Sequence, residues 1–370
     1  MRARWAALCV LLVGCDGRKE RAPSEVRALQ RSCDVEDAGS CVELAYRYEH
    51  GQEVPRDEAR AAALYQQACD REDPVGCFDL GVFYHYGRGV PVDKARAATL
   101  YQRACDAGQA EGCGNLGSLY QVGEGVPKDL ARAASLFEQA CKGGRHRSCN
   151  NLGRLYANGE GVPRSQARAA ALYQQACELG GTQGCVNLGA QYQDGLGVPR
   201  DEARAAALYE QACTDGNTDA CFDLGYLLHF GLGVPKDEAR AAVLYKQACA
   251  GDVPVSCSNL GFLYERGLGV PKDEVRAAAL YKQACEAGYA LGCYNLGLFA
   301  KNGRGLHRNL KRAAELFEKA CAGDEASGCY SLGILYREGA GVAKDARRAA
   351  ELFDQACRGG EKEACANAKK

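Results

Sequence analysis

The sequence has few of the residues that usually build metal centres and membrane spans. Its 370 residues include one Met, one Trp and five His, so a metal centre built from several histidines has few available ligands. It has no run of 18 or more apolar residues, which argues against a membrane-spanning helix. The 46 basic and 47 acidic residues are interspersed and leave a net charge of −1. A nucleic-acid-binding stripe or a polybasic membrane patch is therefore not expected.

Cysteine, in contrast, is abundant and strictly periodic. Twenty of the 22 cysteines form ten pairs whose members lie eight residues apart, and successive pairs follow at intervals of 36 residues. A fixed period of this size is typical of a stacked repeat protein. Paired cysteines in such number also indicate an oxidising compartment. The pairs are Cys33–Cys41, Cys69–Cys77, Cys105–Cys113, Cys141–Cys149, Cys177–Cys185, Cys213–Cys221, Cys249–Cys257, Cys285–Cys293, Cys321–Cys329 and Cys357–Cys365.

Each 36-residue unit contains two helical patterns joined by a turn. In the unit that begins at Cys113, the apolar and small residues Leu116, Gly117 and Tyr120 follow at i+3, i+4 and i+7, the spacing of one helix face. Residues 133–141 repeat this spacing, and the Gly-Glu-Gly-Val-Pro segment between the two patterns is a turn signature. Asp, Ser or Asn stands at the expected N-cap of each second helix. These N-caps are Asp57, Asp93, Asp129, Ser165, Asp201, Asp237, Asp273, Asn309 and Asp345.

A glycine recurs in the middle of the first helix of eight units, and only Ala45 breaks the column. Glycine inside a helix costs about 1 kcal/mol relative to alanine. Because glycine recurs here in eight units despite this cost, we predict that two helices cross closely at this point. The glycines are Gly81, Gly117, Gly153, Gly189, Gly225, Gly261, Gly297 and Gly333.

Each cysteine pair spans the turn from one helix to the next. A disulfide there would staple successive units and contribute about 2–3 kcal/mol in the chain-entropy model. The alternative is metal binding, because two thiolates per unit are half of a zinc site. The scarcity of histidine and the N-terminal signal described below favour disulfides.

The N-terminus has the layout of a secretory signal. Arg2 and Arg4 precede an apolar stretch over residues 5–13, and the tetrad that ends at Cys15 follows. This Leu-Val-Gly-Cys tetrad resembles a bacterial lipobox, whose cysteine becomes the lipidated first residue of the mature chain. The alternative is an ordinary cleaved signal with a chance cysteine.

We therefore expect a signal peptide over residues 1–14, lipidation of Cys15 and a flexible tether over residues 15–23. Cys9 would leave with the signal, so every remaining cysteine except the lipidated one belongs to a periodic pair. The expected location is the cell envelope, lipid-anchored and facing the periplasm or the exterior, with secretion as the alternative. The sequence does not decide between the inner and the outer membrane.

The repeat resembles known helical repeat families. The columns Leu116-Gly117-x-x-Tyr120 and Ala133-x-x-x-Phe137-x-x-Ala140 resemble a tetratricopeptide repeat. The 36-residue length, the Gly-x-Gly-Val-Pro turn and the Ala-Ala-x-Leu-Tyr run look like its relative, the Sel-one-like repeat. The Cys-x7-Cys staple narrows the resemblance to the Hcp-type cysteine-rich proteins. Over residues 24–370 it implies an all-α fold: a right-handed α/α solenoid of nine helix-turn-helix repeats stapled by disulfides, with half-repeat caps at both ends.

The resemblance implies export from the cytoplasm and two candidate functions. Some Hcp-type members have been assigned penicillin binding or weak β-lactamase activity, and others in the wider repeat family serve as protein-assembly scaffolds. This sequence has no Ser-x-x-Lys, Ser-Asp-Asn or Lys-Thr-Gly motif and no His-Glu-x-x-His motif. Nor is a free thiol expected in the mature chain as a nucleophile. We therefore expect a binding scaffold with no catalytic residue, metal or cofactor, and keep a β-lactamase or penicillin-binding hydrolase as the alternative.

The candidate binding residues lie where the repeats differ from one another. The first helix varies most at positions one, five, eight and nine after its cysteine, and these positions share one helix face. In tetratricopeptide relatives this face lines a concave groove, and exposed aromatic residues there suit peptide or ring recognition. The alternative is packing between neighbouring first helices. The expected groove residues are Phe78, His85, Tyr86, Phe222, Tyr226, His229, Phe230, Phe262, Tyr294 and Tyr330, with Phe222, Tyr226, Phe230 and Phe262 clustered across two adjacent repeats.

The position two after the cysteine adds polar groups to the same region. In relatives, an Asn here can clamp the backbone or the C-terminal carboxylate of a bound peptide, and the alternative is a buried Asn that bonds to a neighbouring helix. The residues are Asn115, Asn151, Asn187, Asn259 and Asn295, with Asp79 and Asp223 in other repeats. The expected partner is a protein or peptide segment, with cell-wall peptide or a β-lactam as further options. We expect a monomer that contacts the membrane only through its lipid and does not bind nucleic acid.

An arginine column in the first turn of the second helix has two interpretations. It is either an anion-binding ladder or a structural column whose stems pack and whose heads pair with carboxylates. Its alanine and aromatic neighbours favour the structural role. The column comprises Arg60, Arg96, Arg132, Arg168, Arg204, Arg240, Arg276, Arg312 and Arg348.

Overall fold

In a computed structural model of the chain, the structure describes residues 24–367, and these form twenty α-helices and no strand. The expected signal peptide, the lipidation site at Cys15 and the tether over residues 15–23 lie outside these residues. The helices divide between two compact units, of which the first ends at Leu136 and the second begins at Phe137.

The first unit contains six complete helices and the start of a seventh within its described residues. They are α1 Ser24–Asp34, α2 Ala38–His50, α3 Glu58–Asp70, α4 Pro74–Tyr86, α5 Lys94–Asp106 and α6 Ala110–Val122, and α7 Leu130–Lys142 contains the boundary. The second unit continues through α20. Its helices are α8 His146–Asn158, α9 Gln166–Glu178, α10 Thr182–Asp194, α11 Glu202–Thr214, α12 Thr218–Phe230, α13 Glu238–Ala250, α14 Pro254–Arg266, α15 Glu274–Glu286, α16 Ala290–Asn302, α17 Leu310–Ala322, α18 Ala326–Glu338, α19 Ala346–Arg358 and α20 Lys362–Asn367.

The helices alternate between two roles in nine repeats. The even-numbered helices α2 to α18 are the first helices, and the odd-numbered helices α3 to α19 are the second helices. Within each unit, a helix packs mainly against its neighbours in the chain. Helix α1 precedes the first repeat as a lone second helix, and the short helix α20 follows the last repeat. The all-α repeat architecture is therefore confirmed.

Ten disulfides staple successive repeats. Each joins the last turn of a second helix to the first turn of the following first helix, as Cys69 of α3 joins Cys77 of α4 with a Cα–Cα distance of 4.4 Å. The ten pairs are those that the spacing predicts. Because all cysteines in the described part of the chain are paired, zinc binding by these thiols is not the arrangement found.

The helix ends follow the local sequence signals. The Asp57 carboxylate accepts the backbone N–H of Arg60 at 2.9 Å, and the other eight predicted N-cap side chains accept the equivalent N–H. These bonds satisfy donors that the first helical turn leaves free. First helices end at a glycine in the left-handed conformation, such as Gly51 with a φ of 68°.

The glycines in the middle of the first helices pack against aromatic rings of the second helices. A Cβ placed on Gly189 of α10 would lie 2.6 Å from Cε1 of Tyr209 in α11, closer than atoms of two residues normally approach. Gly81, Gly153, Gly297 and their equivalents face the second-helix ring of their own repeat in the same way. The close crossing predicted from the glycine column is therefore a crossing within each repeat, with the ring pressed against the first-helix backbone.

The arginine column is structural. In the first unit, the Arg96 guanidinium lies 4.3 Å from the ring centre of Tyr84 and donates to Gln66 of the preceding second helix at 3.1 Å. Such stacking packs the side chain and orients its head. The other stacked pairs are Arg60–Tyr48, Arg132–Tyr120, Arg168–Tyr156, Arg204–Tyr192 and Arg276–Tyr264. The column therefore links second helices to one another and to the first helices.

We expect Gly189→Ala to lower the free energy of unfolding by about 1–2 kcal/mol, because overpacking against Tyr209 outweighs the higher helix propensity of alanine. Gly39→Ala in α2 is the control: its Cβ would meet only an Asp37 oxygen at 3.6 Å, so it should be neutral or stabilising. Chemical denaturation of the oxidised chain measures both. Equal effects of the two substitutions would contradict the role assigned to Gly189.

Candidate protein-binding site

The rings that directly follow the first-helix cysteine are half-buried and pack within their own repeat. Each contacts the second-helix aromatic residue, with ring-centre distances of about 6 Å, which suit tilted aromatic pairs. Tyr294 and Tyr330 also contact the next first helix, through hydrogen bonds with Ser331 and Glu363 respectively. The pairs are Phe78–Tyr101 at 5.9 Å, Phe222–Tyr245 at 6.1 Å, Tyr294–Phe317 at 5.9 Å and Tyr330–Phe353 at 5.7 Å. In each of these repeats, the ring at position one is thus the inner part of the variable face of the first helix.

On this face, the second unit has one connected group of rings. We define the aromatic patch as Phe222, Tyr226, His229, Phe230 and Phe262, which lie on α12 and α14. Tyr226 lies 6.5 Å from Phe222 and 4.7 Å from Phe230, and His229 stacks on Phe230 at 4.4 Å and lies 6.1 Å from Phe262. The structure thus brings together residues of two adjacent repeats that the sequence analysis expected to cluster.

The patch has an exposed rim and a buried centre. Tyr226, Phe230 and Phe262 are 38%, 54% and 37% exposed, whereas His229 is only 7% exposed. Arg266 lies 5.7 Å from the ring centre of Phe262 at the edge of the patch. Aromatic side chains with open faces beside a cation are well suited to contact another protein.

The first unit has a smaller version of the same arrangement. Phe78, His85 and Tyr86 occupy the positions of Phe222, His229 and Phe230, and Tyr86 is 67% exposed. His85 stacks on Tyr86 at 4.5 Å, and its Nδ1 lies 3.5 Å from the Tyr101 hydroxyl. Val82 and Ser118 stand where the patch has Tyr226 and Phe262. This version therefore lacks two of the five rings.

The asparagine column is half-buried at all five positions. The Asn187 side chain donates to Asn150 of the preceding first helix at 2.7 Å and accepts from Gln183 at 3.3 Å. This contact matches the alternative of an Asn bonded to a neighbouring helix. Asn115 lies beside the Tyr101 hydroxyl, where burial raises the pKa of the tyrosine and the Asn115 carboxamide opposes that rise. Asn259 lies in the same way beside Tyr245.

A row of tyrosine hydroxyls was not anticipated from the sequence. The second-helix tyrosine donates to the residue sixteen positions earlier, as Tyr65 donates to Glu49 at 2.8 Å, Tyr209 to Gln193 at 3.2 Å and Tyr281 to Glu265 at 2.7 Å. The signal was available, because a Glu, His or Gln stands at the eighth position after the cysteine in these repeats. Comparing the eighth position after the cysteine with the second-helix tyrosine, repeat by repeat, would have predicted these hydrogen bonds.

Two of these hydroxyl sites carry an ion pair. Arg88 binds Glu49 at 2.8 Å in the first unit, and Arg304 binds Glu265 at 2.8 Å and Glu274 at 3.0 Å in the second. Each arginine stands between the two glycines of its turn. Since each ion pair joins one repeat to the next, we assign them a structural role.

The buried centre of the patch contains two polar atoms without partners. Neither Nδ1 of His229 nor the hydroxyl oxygen of Tyr245 meets a hydrogen-bond partner with acceptable geometry among the described residues. Burial lowers the pKa of His229 and raises the pKa of Tyr245, so both groups are neutral near pH 7.

Asp79 and Asp223 stand two residues after the first-helix cysteine, where five other repeats have asparagine. Burial raises the pKa of each carboxyl to about 7, and the nearby acids Glu49 and Asp219 add to the rise at Asp79 and Asp223 respectively. Each therefore changes charge near neutral pH, in a position where most repeats carry an uncharged amide.

Nothing in residues 24–367 supports the hydrolase alternative. No group of three or more His, Cys, Asp or Glu side chains is placed there to hold a metal ion. Every cysteine of that range is in a disulfide and offers no thiolate. In the same range, no helix has the length and hydropathy needed to cross a bilayer.

The open clefts of the second unit belong to the repeating framework. One of about 440 Å³ lies between α11 and α13 and is lined by Ala203, Glu210 and Arg240 among others. Equivalent positions, such as Gln174 and Arg204, line the cleft between α9 and α11. A feature that recurs with the repeat is accounted for by the repeat, whereas the aromatic patch occurs where the repeats differ.

Comparison with known proteins adds family information to this geometry. The family model for the Sel1 repeat matches nine segments: residues 38–73, 74–109, 110–144, 146–181, 182–217, 218–253, 254–289, 290–325 and 326–361. A search of curated proteins finds no significant match.

Three solved structures illustrate the likeness. A protective antigen of uropathogenic Escherichia coli with an SLR fold is 29% identical, with a TM-score of 0.77, over 93% of this chain and 81% of that one. A Sel1 repeat protein from Oxalobacter formigenes is 24% identical over 85% and 90%, with a TM-score of 0.66. Cysteine-rich protein B of Helicobacter pylori is 30% identical over 35% of this chain and 94% of that one, with a TM-score of 0.30.

We expect Asp223→Asn to stabilise the protein more at high pH than at low pH. Because the pKa of Asp223 is raised to about 7, above the ordinary value of about 4, the folded state retains a proton that the unfolded chain has lost between these values. The free energy of unfolding therefore falls as the pH rises through this window. The gain from Asp223→Asn should be about 1–3 kcal/mol larger at pH 8 than at pH 4.

Denaturation of the wild type and the variant at both pH values measures this difference. The control is Asp237→Asn, at an exposed N-cap where asparagine serves equally well. It should not become more stabilising at pH 8. A gain from Asp223→Asn that is the same at both pH values would contradict the assignment.

Proposed function

The chain belongs to the Sel1 repeat family, and we propose that it is an extracytoplasmic scaffold that binds an extended segment of a partner protein across the aromatic patch. Sel1 repeat proteins generally mediate protein–protein interactions. The framework residues are shared among the repeats, so a specific partner must be recognised by residues that differ. The aromatic patch is the largest connected group of such residues described above.

One observation carries this proposal: the fold does not need the exposed rings of the patch. Asp194 and Glu338 occupy the position of Phe230 in other repeats, and Arg154 and Ala190 occupy the position of Phe262. These repeats have the same helices and the same contact between the mid-helix glycine and the second-helix ring. Exposed aromatic side chains that the framework can replace with charges are candidates for partner contact.

The geometry favours a segment that crosses two repeats. Phe230 belongs to α12 and Phe262 to α14, and His229 lies between them in contact with both. A chain laid across these successive first helices can place apolar side chains on both rings. Burying such rings contributes about 25 cal/mol per Å² of apolar surface, and clustered aromatic residues often dominate interface energies.

The disulfides support a location outside the cytoplasm. Ten disulfides suggest an oxidising environment, because the reducing cytoplasm does not normally sustain such bonds. Our proposal adds lipid anchoring through Cys15, which rests on the sequence pattern of the N-terminus. Such an anchor would hold the scaffold at a membrane surface within the envelope.

We expect the double substitution Phe230→Ala with Phe262→Ala to weaken partner binding at least about tenfold and to leave helicity unchanged. The probe is the tightest peptide selected from a random-peptide phage library against the oxidised full chain. Fluorescence anisotropy measures its affinity, and circular dichroism measures helicity.

The matched control removes two exposed apolar side chains from second helices of the same unit. Val243 and Val275 are each 65% exposed, so Val243→Ala with Val275→Ala should leave peptide affinity unchanged. If both double variants bind the peptide like the wild type, the aromatic patch is not the binding site. If no library peptide binds the wild type, the peptide-binding proposal itself fails.

For the anchor, we expect Cys15→Ser to move the protein from the membrane fraction to a soluble fraction of the producing bacterium. The thioether to the lipid cannot form on serine, so detergent-phase partitioning should be lost. Cys9→Ser is the control, because Cys9 would be removed with the signal and its substitution should change nothing. A wild-type chain that is already soluble would refute the anchor.

A further inference from the structure

The buried centre of the aromatic patch has an unusual hydrogen-bond deficit. His229 is 7% exposed and Tyr245 is fully buried, yet neither His229 Nδ1 nor the Tyr245 hydroxyl oxygen makes a hydrogen bond of acceptable geometry among the described residues, although the Asn259 carboxamide lies beside that hydroxyl. Their rings are in contact, with centres 6.2 Å apart. We call these two atoms the polar pair. A buried polar group without a partner is destabilising, so two of them beneath one surface patch require an explanation.

The same position is satisfied in other repeats. Tyr65, Tyr209 and Tyr281 each donate to the side chain sixteen residues earlier, at 2.7 to 3.2 Å. In the first unit, the corresponding Tyr101 hydroxyl lies 3.5 Å from His85 Nδ1, within hydrogen-bond distance. The deficit at the polar pair is therefore a property of this repeat and does not follow from the architecture.

The deficit coincides with the place where the exposed rings are added. His229 stacks against Phe230 and lies beside Phe262, so the polar pair is one layer below the exposed rim. Phe230 and Phe262 are 54% and 37% exposed, and a partner would have to rotate these rings to reach the polar pair. Side-chain rotation of this kind is common when an interface forms.

The charges around the polar pair nearly cancel. Glu238 and Lys236 act on His229 in opposite directions, and burial keeps both members of the pair neutral. Arg266 lies over the outer part of the patch on Phe262. No fixed charge at the pair itself would balance a buried carboxylate or ammonium group, whose desolvation is costly.

We propose that the polar pair binds a backbone amide of the partner segment, and that the segment is uncharged at this point and places apolar side chains on Phe230 and Phe262. This inference rests on the proposed function and names the chemistry that the site selects. An amide has one donor and one acceptor, and a hydroxyl beside an imidazole nitrogen can supply the complementary acceptor and donor. Binding would then satisfy both buried atoms at once.

The decisive variant is Tyr245→Phe, which removes only the hydroxyl. Because that hydroxyl has no partner in the free protein, the variant should be at least as stable as the wild type. Its affinity for the library-selected peptide should nevertheless fall about tenfold, the value of one buried hydrogen bond. His229→Leu should cause a similar loss, and the two losses should not add, since both groups bind the same amide.

Two tyrosines provide matched controls. Tyr209→Phe removes a hydroxyl that donates to Gln193, so it should lower stability and leave peptide affinity unchanged. Tyr101→Phe alters the equivalent position in the first unit, where the rim lacks two rings, and should also leave affinity unchanged. Replacing the free C-terminal carboxylate of the peptide with an amide should have little effect if an internal amide is bound.

The outcomes separate this inference from the proposed function. If Tyr245→Phe binds the peptide as tightly as the wild type while Phe230→Ala with Phe262→Ala does not, the patch binds peptide and the amide assignment is wrong. If affinity is lost on amidation of the peptide, the site recognises a carboxylate and the assignment is also wrong. If no library peptide binds the wild type, both proposals fail together.

Discussion

The contact on which the repeat depends is an aromatic ring pressed against the backbone of a neighbouring helix. Tyr209 against Gly189 shows its geometry: a Cβ on the glycine would lie only 2.6 Å from Cε1 of the ring. This contact fixes the distance between the two helices of a repeat. The disulfide then joins that pair to the next pair, and stacked arginines such as Arg204 add a contact between the second and the first helix of a repeat. Replacing the ring or the glycine would change the distance between the two helices, and the other contacts depend on that distance.

Much of this framework could be predicted because it is periodic. The cysteine spacing predicts the staples, the Asp57-type caps predict the starts of second helices, and the glycine column predicts a close crossing. What the pattern could not supply is the depth of each side chain on the variable face. Phe222 and Phe230 lie on that same face, yet Phe222 packs on Tyr245 and Phe230 points outward. That difference depends on the distance to the second helix, which a helical wheel does not contain.

The tyrosine hydroxyls show a second limit of single-helix reasoning. The partner of Tyr281 is Glu265, on a different helix and sixteen residues away, a separation with no meaning in one helix pattern. Comparing two columns across the repeats makes it visible, because five of the six second-helix tyrosines have a Glu, Gln or His sixteen residues earlier, and only Tyr173 has Ala157 there. Among these five, the bond is not made between His229 and Tyr245. In a repeat protein, departures from the internal average are therefore the most informative positions.

The short reach of the staples has a consequence for how the chain matures. Each disulfide joins cysteines only eight positions apart, such as Cys213 and Cys221, and within each unit the helices pack mainly on their chain neighbours. Contacts of such low sequence separation form early and quickly. Each cysteine therefore has its correct partner close by in the chain. The twenty cysteines can form their ten pairs locally, without a long search among alternative pairings.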